Sequence, residues 1–428
     1  METLRYGAQG YYVSLLQLGL KRAGQEPGTL DGIFGRRTLR ALTDFQRGQG
    51  LSADGIAGMR TWTALYPYLA GYTFYQVRQG DSVYAVARRY GVPVKAVETA
   101  NPNVSTENLP VGTMLTVPLP FDTVTEEIPY GHVLNGLVLK GLTRRYPFIR
   151  LDSIGESLMG RPLFVAAMGQ GERQVFINAA HHANEWITTP ILLKFMEEYA
   201  KAFALAPAGT AERERAEAMY TAATVYFVPL VNPDGADLVT GALTSEDSYY
   251  KQAQALSSYY PAIPFPQGWK ANIAGVDLNL QYPAGWERAK EIKRAQGFVR
   301  PGPRDYVGAY PLSAPESRAV AEFTRGKSFA RTLSYHTQGE VIYWGYQDVS
   351  VPGMEALGQR LSEVSGYVVE EVPEESSFAG YKDWFIDAYR RPGYTVEAGK
   401  GQNPLPLEAF PAIYKANAPL MEEAILYP

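Results

Sequence analysis

Four side chains with the chemistry of a catalytic zinc site each follow an apolar, strand-like run of the sequence. They are His182, Glu185, His336 and Glu397, and they include two of the four histidines in the chain. Two imidazoles and one carboxylate can hold a zinc ion and leave a fourth position for water, while a further carboxylate can act as the general base. These residue types in this arrangement predict a zinc hydrolase.

The places of these residues along the chain favour one shared edge of a sheet. His182 and Glu185 follow the run VFINAA, His336 follows RTLSY, Glu397 follows GYTV, and Asn232 to Gly235 end another apolar run. Open α/β sheets bind ligands beyond the carboxyl ends of their strands. A lone His-x-x-Glu pair is more often structural, but four polar clusters at one predicted edge favour a site.

Composition limits the other possibilities. The chain has 428 residues, is 46% hydrophobic and contains no cysteine. It can therefore bury a large core and hold more than one domain, and any metal must be held by His, Asp or Glu. No apolar run has the roughly 20 residues of a membrane span, so we expect no membrane insertion. Nor does Met1–Arg5 begin a signal peptide, which leaves the route to any extracellular site unknown. The density of basic residues is too low for a nucleic-acid partner.

Residues 1–70 contain two similar units, each a turn that leads into a helix. Leu30–Gly35 is followed by Thr38, and Ala53–Gly58 is followed by Thr61. The segment resembles the three-helix peptidoglycan-binding module through Leu16-Gln17, Asp31 to Gly35, Phe45-Gln46 and Thr61-Trp62. The resemblance implies that peptidoglycan is a partner of this module.

Residues 73–119 have the pattern of a small βααβ domain. The segment resembles the lysin-motif (LysM) domain through Gly80 to Tyr84, Tyr90-Gly91-Val92, Asn101-Pro102 and Leu109 to Pro118. By that resemblance Gly80, Asp81 and Ser82 lie at a groove that binds glycan, although a structural role as a helix cap is the simpler reading of Asp81. A short proline-containing linker, which we expect to be stiff, follows over 119–124.

Residues 125–428 alternate strand-like and helical stretches, which predicts an α/β domain with a mixed sheet. Its motifs resemble those of the zinc metallocarboxypeptidases in type and order: His182 to Glu185, Asn232 to Gly235, Gly275 to Asn279, Ser334 to His336 and Thr395 to Glu397. The resemblance implies a carboxypeptidase-like fold that binds one zinc ion. It makes His182, Glu185 and His336 the metal ligands and Glu397 the general base.

Departures from the family pattern bear on the substrate. Lys270 stands where the family often has an arginine that stabilises the oxyanion, and a solvated lysine is the alternative reading. The Asn-Arg pair that grips a terminal carboxylate appears here as Asn279-Leu280, and Asn184 replaces another arginine. Lys382 falls at the position of the specificity pocket, where it would favour a side chain that ends in a carboxylate.

Diaminopimelate residues of peptidoglycan stem peptides carry such a carboxylate. The run from Asn279 to Trp286 also resembles the branch of the family that cleaves γ-D-glutamyl-diaminopimelate bonds. We therefore expect a zinc endopeptidase of peptidoglycan, associated with the cell wall or the spore, that meets both glycan strands and stem peptides. Two alternatives are a carboxypeptidase that trims the terminal residue of stem peptides and a noncatalytic wall-binding or spore-coat protein.

Overall fold

The computed structural model describes residues 1–105 and 109–428, which divide into two compact units. Unit 1 comprises Met1–Pro129, Val133–Arg150 and Met196–Ala216, and unit 2 comprises Tyr130–His132, Leu151–Phe195 and Glu217–Pro428. None of the helices in these ranges combines the length and the apolar character that a membrane span requires.

The N-terminal part of unit 1 has three helices, followed by a small two-stranded sheet with two helices between its strands. These elements are α1 (Tyr11–Arg22), α2 (Arg36–Gly48), α3 (Met59–Ala70), β1 (Tyr72–Gln76), α4 (Val83–Tyr90), α5 (Val94–Ala100) and β2 (Met114–Pro118). The strands β1 and β2 pair antiparallel, with Tyr72 opposite Pro118. The predicted order of a three-helix module and a βααβ domain is confirmed.

A buried glutamine holds each of the two repeated turns in the three-helix module. Each glutamine donates to an aspartate and to a threonine hydroxyl, and its side-chain oxygen accepts from the glycine after the aspartate. The first set is Gln17 with Asp31 (3.0 Å), Thr38 (3.2 Å) and Gly32 (3.0 Å), and the second is Gln46 with Asp54 (3.0 Å), Thr61 (3.1 Å) and Gly55 (3.0 Å). Each repeat therefore ties the turn after one helix to the start of the next.

The rest of the chain continues with the following elements: α6 (His132–Arg145), β3 (Arg150–Glu156), β4 (Pro162–Met168), β5 (Arg173–Ala179), α7 (Thr188–Leu205), α8 (Ala211–Ala222), β6 (Ala223–Val228), α9 (Pro233–Thr240), α10 (Ser248–Ser257), α11 (Trp286–Ala295), α12 (Pro315–Arg325), β7 (Phe329–His336), β8 (Val341–Trp344), α13 (Met354–Ser365), β9 (Val368–Glu371), α14 (Tyr381–Tyr389), β10 (Gly393–Glu397) and α15 (Phe410–Leu426). Four short 3-10 turns lie between them, at Ala183–Glu185, Leu278–Leu280, Glu374–Ser376 and Leu407–Ala409.

Unit 2 is built on a mixed sheet of eight strands in the order β3-β4-β6-β5-β7-β10-β8-β9. The central strands β6, β5, β7 and β10 run parallel, whereas β4 and β8 pair antiparallel with β6 and β10. Val175, Phe176 and Ile177 of β5 point to alternate faces, and all three are buried, so both faces of the sheet are covered. The predicted α/β fold with a mixed sheet is confirmed.

Within unit 1, charged side chains hold the segment that follows β2. Arg145 of α6 donates to the Phe121 carbonyl (2.7 Å) and to the Thr123 hydroxyl (3.0 Å). The Glu197 carboxylate accepts from the backbone N–H groups of Thr123 (2.6 Å) and Val124 (2.9 Å). These contacts fasten Phe121, Thr123 and Val124 to α6 and α7.

Candidate functional site

The carboxyl ends of three parallel strands bring the predicted zinc site together. His336 is the last residue of β7 and Glu397 the last of β10, and the two are register partners. After β5, the chain turns at Ala180, whose φ is 55°. Such a conformation is uncommon for a residue other than glycine and is often found at functional sites. His182 then caps the 3-10 turn Ala183–Glu185, which returns Glu185 toward His182.

His182, Glu185 and His336 form a compact buried cluster. Nδ1 of His182 lies 2.9 Å from Glu185 Oε1, Nδ1 of His336 lies 2.9 Å from Glu185 Oε2, and the two Nδ1 atoms are 3.1 Å apart. Two nitrogens bound at about 2.0–2.1 Å to one tetrahedral zinc ion would be separated by roughly 3.3 Å. The three side chains therefore fit a single zinc ion, with both histidines facing it through Nδ1.

The charges in this cluster suit a cation. Burial raises the pKa of Glu185, but His182 and His336 lower it by more, so that the carboxylate is ionised. Burial lowers the pKa of His336, which keeps that imidazole neutral at pH 7. Burial also lowers the pKa of His182, but Glu185 and Asp277 oppose it and raise the pKa to about 9. Because a metal ligand must be deprotonated, zinc binding would displace this proton.

Asp277 orients His182, although the sequence analysis gave it no role in the site. Its Oδ1 lies 3.2 Å from His182 Nε2, on the side of the ring away from the cluster, and its Oδ2 accepts from the Asp305 backbone N–H (3.2 Å). Burial raises the pKa of Asp277, but His182 lowers it by more, so the carboxylate stays charged. A carboxylate behind a metal-binding histidine fixes the tautomer of the ring. The Gly275 to Asn279 motif contained this signal.

Glu397 and Lys270 lie beside the cluster and line the same cleft, which has a volume of about 710 Å³. Burial and the negative charge of Glu185 raise the pKa of Glu397 to about 8, and none of the described residues donates a hydrogen bond to its carboxylate. The Lys270 ammonium lies 3.9 Å from Glu185 Oε1, and its side chain is partly exposed. Glu397 is thus free to exchange a proton, and Lys270 offers a positive charge next to the metal site.

The three residues expected to contact the substrate also line this cleft. Asn184 is buried, and its side-chain oxygen has no hydrogen-bond partner in the described part of the chain. Asn279 accepts a hydrogen bond from the Tyr381 backbone N–H (3.0 Å). Leu280 lines the cleft in place of the arginine that the family pattern has there.

Lys382 was expected to offer a positive charge to the substrate, but in the structure it is paired with the carboxylate of Asp383. Its ammonium donates to the Gly345 carbonyl (2.6 Å) and to Asp383 Oδ1 (2.5 Å), and the side chain is buried. An ammonium has three donors, so one remains for a substrate. The cleft therefore presents a lysine and an aspartate together at this point rather than a single positive charge.

A further charged group in the cleft gave no signal in the sequence analysis. Lys293, Arg304 and Asp305 all line it, and Asp305 pairs with both cations. Lys293 comes from α11, whereas the other two residues lie in the loop before α12. No motif connects the two segments, and only the folded chain brings them together.

In unit 1, the three residues predicted to bind glycan lie on the loop between β1 and α4. Ser82 caps α4 by accepting a hydrogen bond from the Ala85 N–H (3.1 Å). Asp81 accepts from the Tyr75 hydroxyl (2.6 Å) and from the Arg78 N–H (2.8 Å), so it fastens the loop and Ser82 is the helix cap. A groove of about 520 Å³ nearby is lined by residues 74–79 and 111–112, without Gly80, Asp81 or Ser82.

Comparisons with known proteins agree with this geometry. The zinc carboxypeptidase family model matches residues 137–417, a peptidoglycan-binding domain matches residues 9–65, and a LysM domain matches residues 75–118. The chain is 41% identical over 286 residues to the gamma-D-glutamyl-L-diamino acid endopeptidase 1 of Lysinibacillus sphaericus, which covers 67% of this chain and 69% of the relative. It is also 37% identical over 299 residues to the uncharacterized protein YqgT of Bacillus subtilis. That alignment covers 68% of this chain and 75% of the relative.

Among solved structures, the chain is similar to bovine thrombin-activatable fibrinolysis inhibitor in complex with tick carboxypeptidase inhibitor. The TM-score is 0.53 at 19% identity, over 70% of this chain and 97% of that one. At this identity the similarity shows the fold alone. Peptidoglycan-binding and LysM domains precede the part of the chain that matches the zinc carboxypeptidase model. The family match, the relatives and the buried His-Glu-His cluster together show that the chain belongs to the zinc carboxypeptidase family and is a zinc metallopeptidase.

Proposed function

We propose that this protein hydrolyses the γ-D-glutamyl-L-diamino acid bond in the stem peptides of peptidoglycan. The observation that carries peptide hydrolysis is the buried cluster of His182, Glu185 and His336, beside which Glu397 lines an open cleft. The choice of bond rests on the relative from Lysinibacillus sphaericus, which is named for that bond and matches the chain at 41% identity.

The side chains of the cleft divide the chemistry among them. Zinc bound to His182, Glu185 and His336 would supply a Lewis acid that activates water and polarises the scissile carbonyl. Glu397 accepts the proton of the attacking water and then delivers it to the leaving amine. Lys270 stabilises the negative charge that develops on the carbonyl oxygen, with less geometric control than an arginine fork would give.

Leu280 favours an endopeptidase over an exopeptidase. A carboxypeptidase selects its substrate by binding the terminal carboxylate, and an arginine does so through two parallel hydrogen bonds. Leucine has no donor, and Asn279, whose oxygen accepts from the Tyr381 N–H, has only its NH₂ group left for a substrate. The cleft therefore has no guanidinium clamp for a terminal carboxylate at this position, which supports cleavage within a longer stem peptide.

The two small domains would hold the catalytic domain at the cell wall. Peptidoglycan-binding and LysM domains indicate association with peptidoglycan, and we propose that they bind its glycan strands while the cleft receives the stem peptides. Linking a binding module to an enzyme raises the effective concentration of substrate without changing the site itself. We expect loss of residues 1–119 to reduce activity on intact peptidoglycan far more than activity on free stem peptides.

Mass spectrometry of digested muropeptides tests the proposed bond. We expect the wild-type protein to release fragments headed by the diamino acid, and Glu397→Gln to release none while retaining zinc. His132→Asn is a matched control, because this histidine pairs with Asp237 instead of joining the cluster. Release of free single amino acids alone would instead identify a carboxypeptidase. Equal hydrolysis by wild type and Glu397→Gln would contradict the proposed role of this glutamate.

A further inference from the structure

The loop that carries Arg304 is fastened to the segment that carries the catalytic lysine. The Pro303 carbonyl accepts from the Lys270 backbone N–H (2.7 Å), and the Tyr306 carbonyl accepts from the Asp277 N–H (2.9 Å). Asp305 in turn donates its N–H to the Asp277 carboxylate (3.2 Å). The backbone on both sides of Arg304 is therefore hydrogen-bonded to Lys270 and to Asp277, which fixes the position of Arg304 in the wall of the cleft.

Asp305 holds the Arg304 side chain. It is buried, and its carboxylate lies 2.8 Å from Lys293 Nζ and 2.5 Å from Arg304 Nε. Its φ is 61°, in the left-handed region that aspartate adopts more readily than most residues with a side chain.

The contacts of Arg304 leave its outer edge open. Among the described residues its guanidinium bonds only through Nε, and its side chain is 43% exposed while it lines the cleft. The two terminal nitrogens thus have no acceptor in the described part of the chain. Since Asp305 faces two cations, Lys293 and Arg304, the group retains one positive charge. A guanidinium with a free edge and a net positive charge matches a carboxylate, which it can bind through two parallel hydrogen bonds.

We propose that Arg304 binds a carboxylate of the substrate beside the scissile bond. Asp305 and Lys293 are positioning residues that aim it. The inference rests on the proposed function, because a γ-glutamyl-diamino acid bond places carboxylates on both of its sides: the α-carboxylate of the glutamyl residue, and those of the diamino acid. Stem peptides without glycan, in which each carboxylate in turn is converted to an amide, show which of these carboxylates Arg304 binds.

The test compares free peptides in which one carboxylate at a time is converted to an amide. If Arg304 binds one of them, we expect the wild-type protein to lose about 10- to 100-fold in kcat/KM for the corresponding amide. Arg304→Gln should lose a similar factor on the unmodified peptide and should no longer distinguish it from that amide. Arg304→Lys should restore part of the preference, and Asp305→Asn should weaken it because the guanidinium loses its anchor.

Arg300→Gln is the matched control. Arg300 lies in the same loop, is exposed, and stacks on the Tyr259 ring at 4.6 Å without lining the cleft. We expect it to keep the wild-type preference. If Arg304→Gln, with normal zinc content and thermal unfolding, discriminates against every amide as strongly as the wild type does, the inference is wrong.

Binding measurements separate this inference from the proposed function. The same peptides are titrated into Glu397→Gln and into the double variant Glu397→Gln/Arg304→Gln by calorimetry. If the wild type does not cleave the γ-glutamyl bond, the proposed function fails, whereas a carboxylate preference that disappears with Arg304 still supports the inference. If the wild type cleaves the bond and the binding preference is the same in both variants, only the inference fails.

Discussion

Replacing Asp277 by asparagine should weaken zinc binding by about 10- to 100-fold, or about 1.4–2.7 kcal/mol, while leaving the fold in place. In the wild type, His182 Nε2 lies 3.2 Å from the Asp277 carboxylate. Asparagine has the same size as aspartate and keeps one oxygen that can accept a hydrogen bond from this nitrogen. It lacks the negative charge that makes the imidazole a better ligand. It also offers an amide that can rotate its NH₂ group toward the ring, which would favour the wrong tautomer.

The size of this effect should depend on pH in a definite direction. Asp277 stabilises zinc-bound His182, but it also contributes to the pKa of about 9 that His182 has without a bound cation. Below that pKa, zinc must displace a proton from His182, and above it there is none to displace. Asparagine lowers the pKa of His182 and so reduces this competition near pH 7. The loss of zinc affinity should therefore be smaller at about pH 7 than at about pH 9.

Competition with a chromophoric chelator measures zinc affinity at both pH values. Asp237→Asn is a matched control, because the buried Asp237 also pairs with a histidine, the half-buried His132, and with Arg161 (2.8 Å). It should alter stability but not zinc affinity. The reasoning is refuted if Asp277→Asn binds zinc like the wild type at both pH values, or if its deficit shrinks as the pH rises.

Four other substitutions have definite expected outcomes. Glu397→Gln should lower kcat by about 10²- to 10⁴-fold in a peptide-hydrolysis assay, since it removes the proposed general base, with zinc content unchanged by elemental analysis. Lys270→Met should lower kcat by about 10²-fold with little change in KM, because we propose that its charge acts on the developing oxyanion. Gln17→Leu should destabilise the three-helix module by about 2–4 kcal/mol in urea unfolding, because buried partners lose their hydrogen bonds, whereas the exposed Gln49→Leu should have little effect. Glu197→Gln should cost about 1–3 kcal/mol in the same assay, because the two backbone N–H groups bind different oxygens of the carboxylate and the amide replaces one of these acceptors by an NH₂ group.

The fold and the metal cluster could be predicted because each depends on strong local patterns. Apolar runs marked the central strands, and polar residues at the ends of β5, β7 and β10 meet wherever those strands are parallel neighbours. Register then determines the distances: Glu397 lies opposite His336 because both are the last residues of paired strands. A sequence that specifies the strands and their direction thus specifies most of the site.

Charge pairing in the cleft could not be predicted in this way. Lys382 was expected to be a cation for the substrate, but Asp383, the next residue in the chain, accepts one of its hydrogen bonds. Adjacent residues on a helix usually point in different directions, so the sequence gives no reason to pair them. Asp305 pairs with Lys293, which lies 12 residues earlier in the chain, only because the loop between them folds back. Its positive φ is likewise a property of the folded loop.

Backbone geometry, rather than the local sequence pattern, determines which of two adjacent histidines faces the cluster. His181 and His182 are both buried, yet only His182 faces the cluster, whereas His181 bonds through Nε2 to the Tyr282 hydroxyl (2.9 Å) and stacks on His336. Alternation along β5 could not decide between them, because the strand ends at Ala179 and the chain then turns at Ala180 with a positive φ. Alanine has no intrinsic preference for that conformation, so the turn is imposed by its surroundings, and these include the Asn232 side chain, which donates to the His181 carbonyl (3.1 Å). The Asn-Pro-Asp-Gly motif therefore acts on the proposed metal site without joining the His-Glu-His cluster, because its asparagine holds the backbone of His181, next to the histidine that faces the cluster.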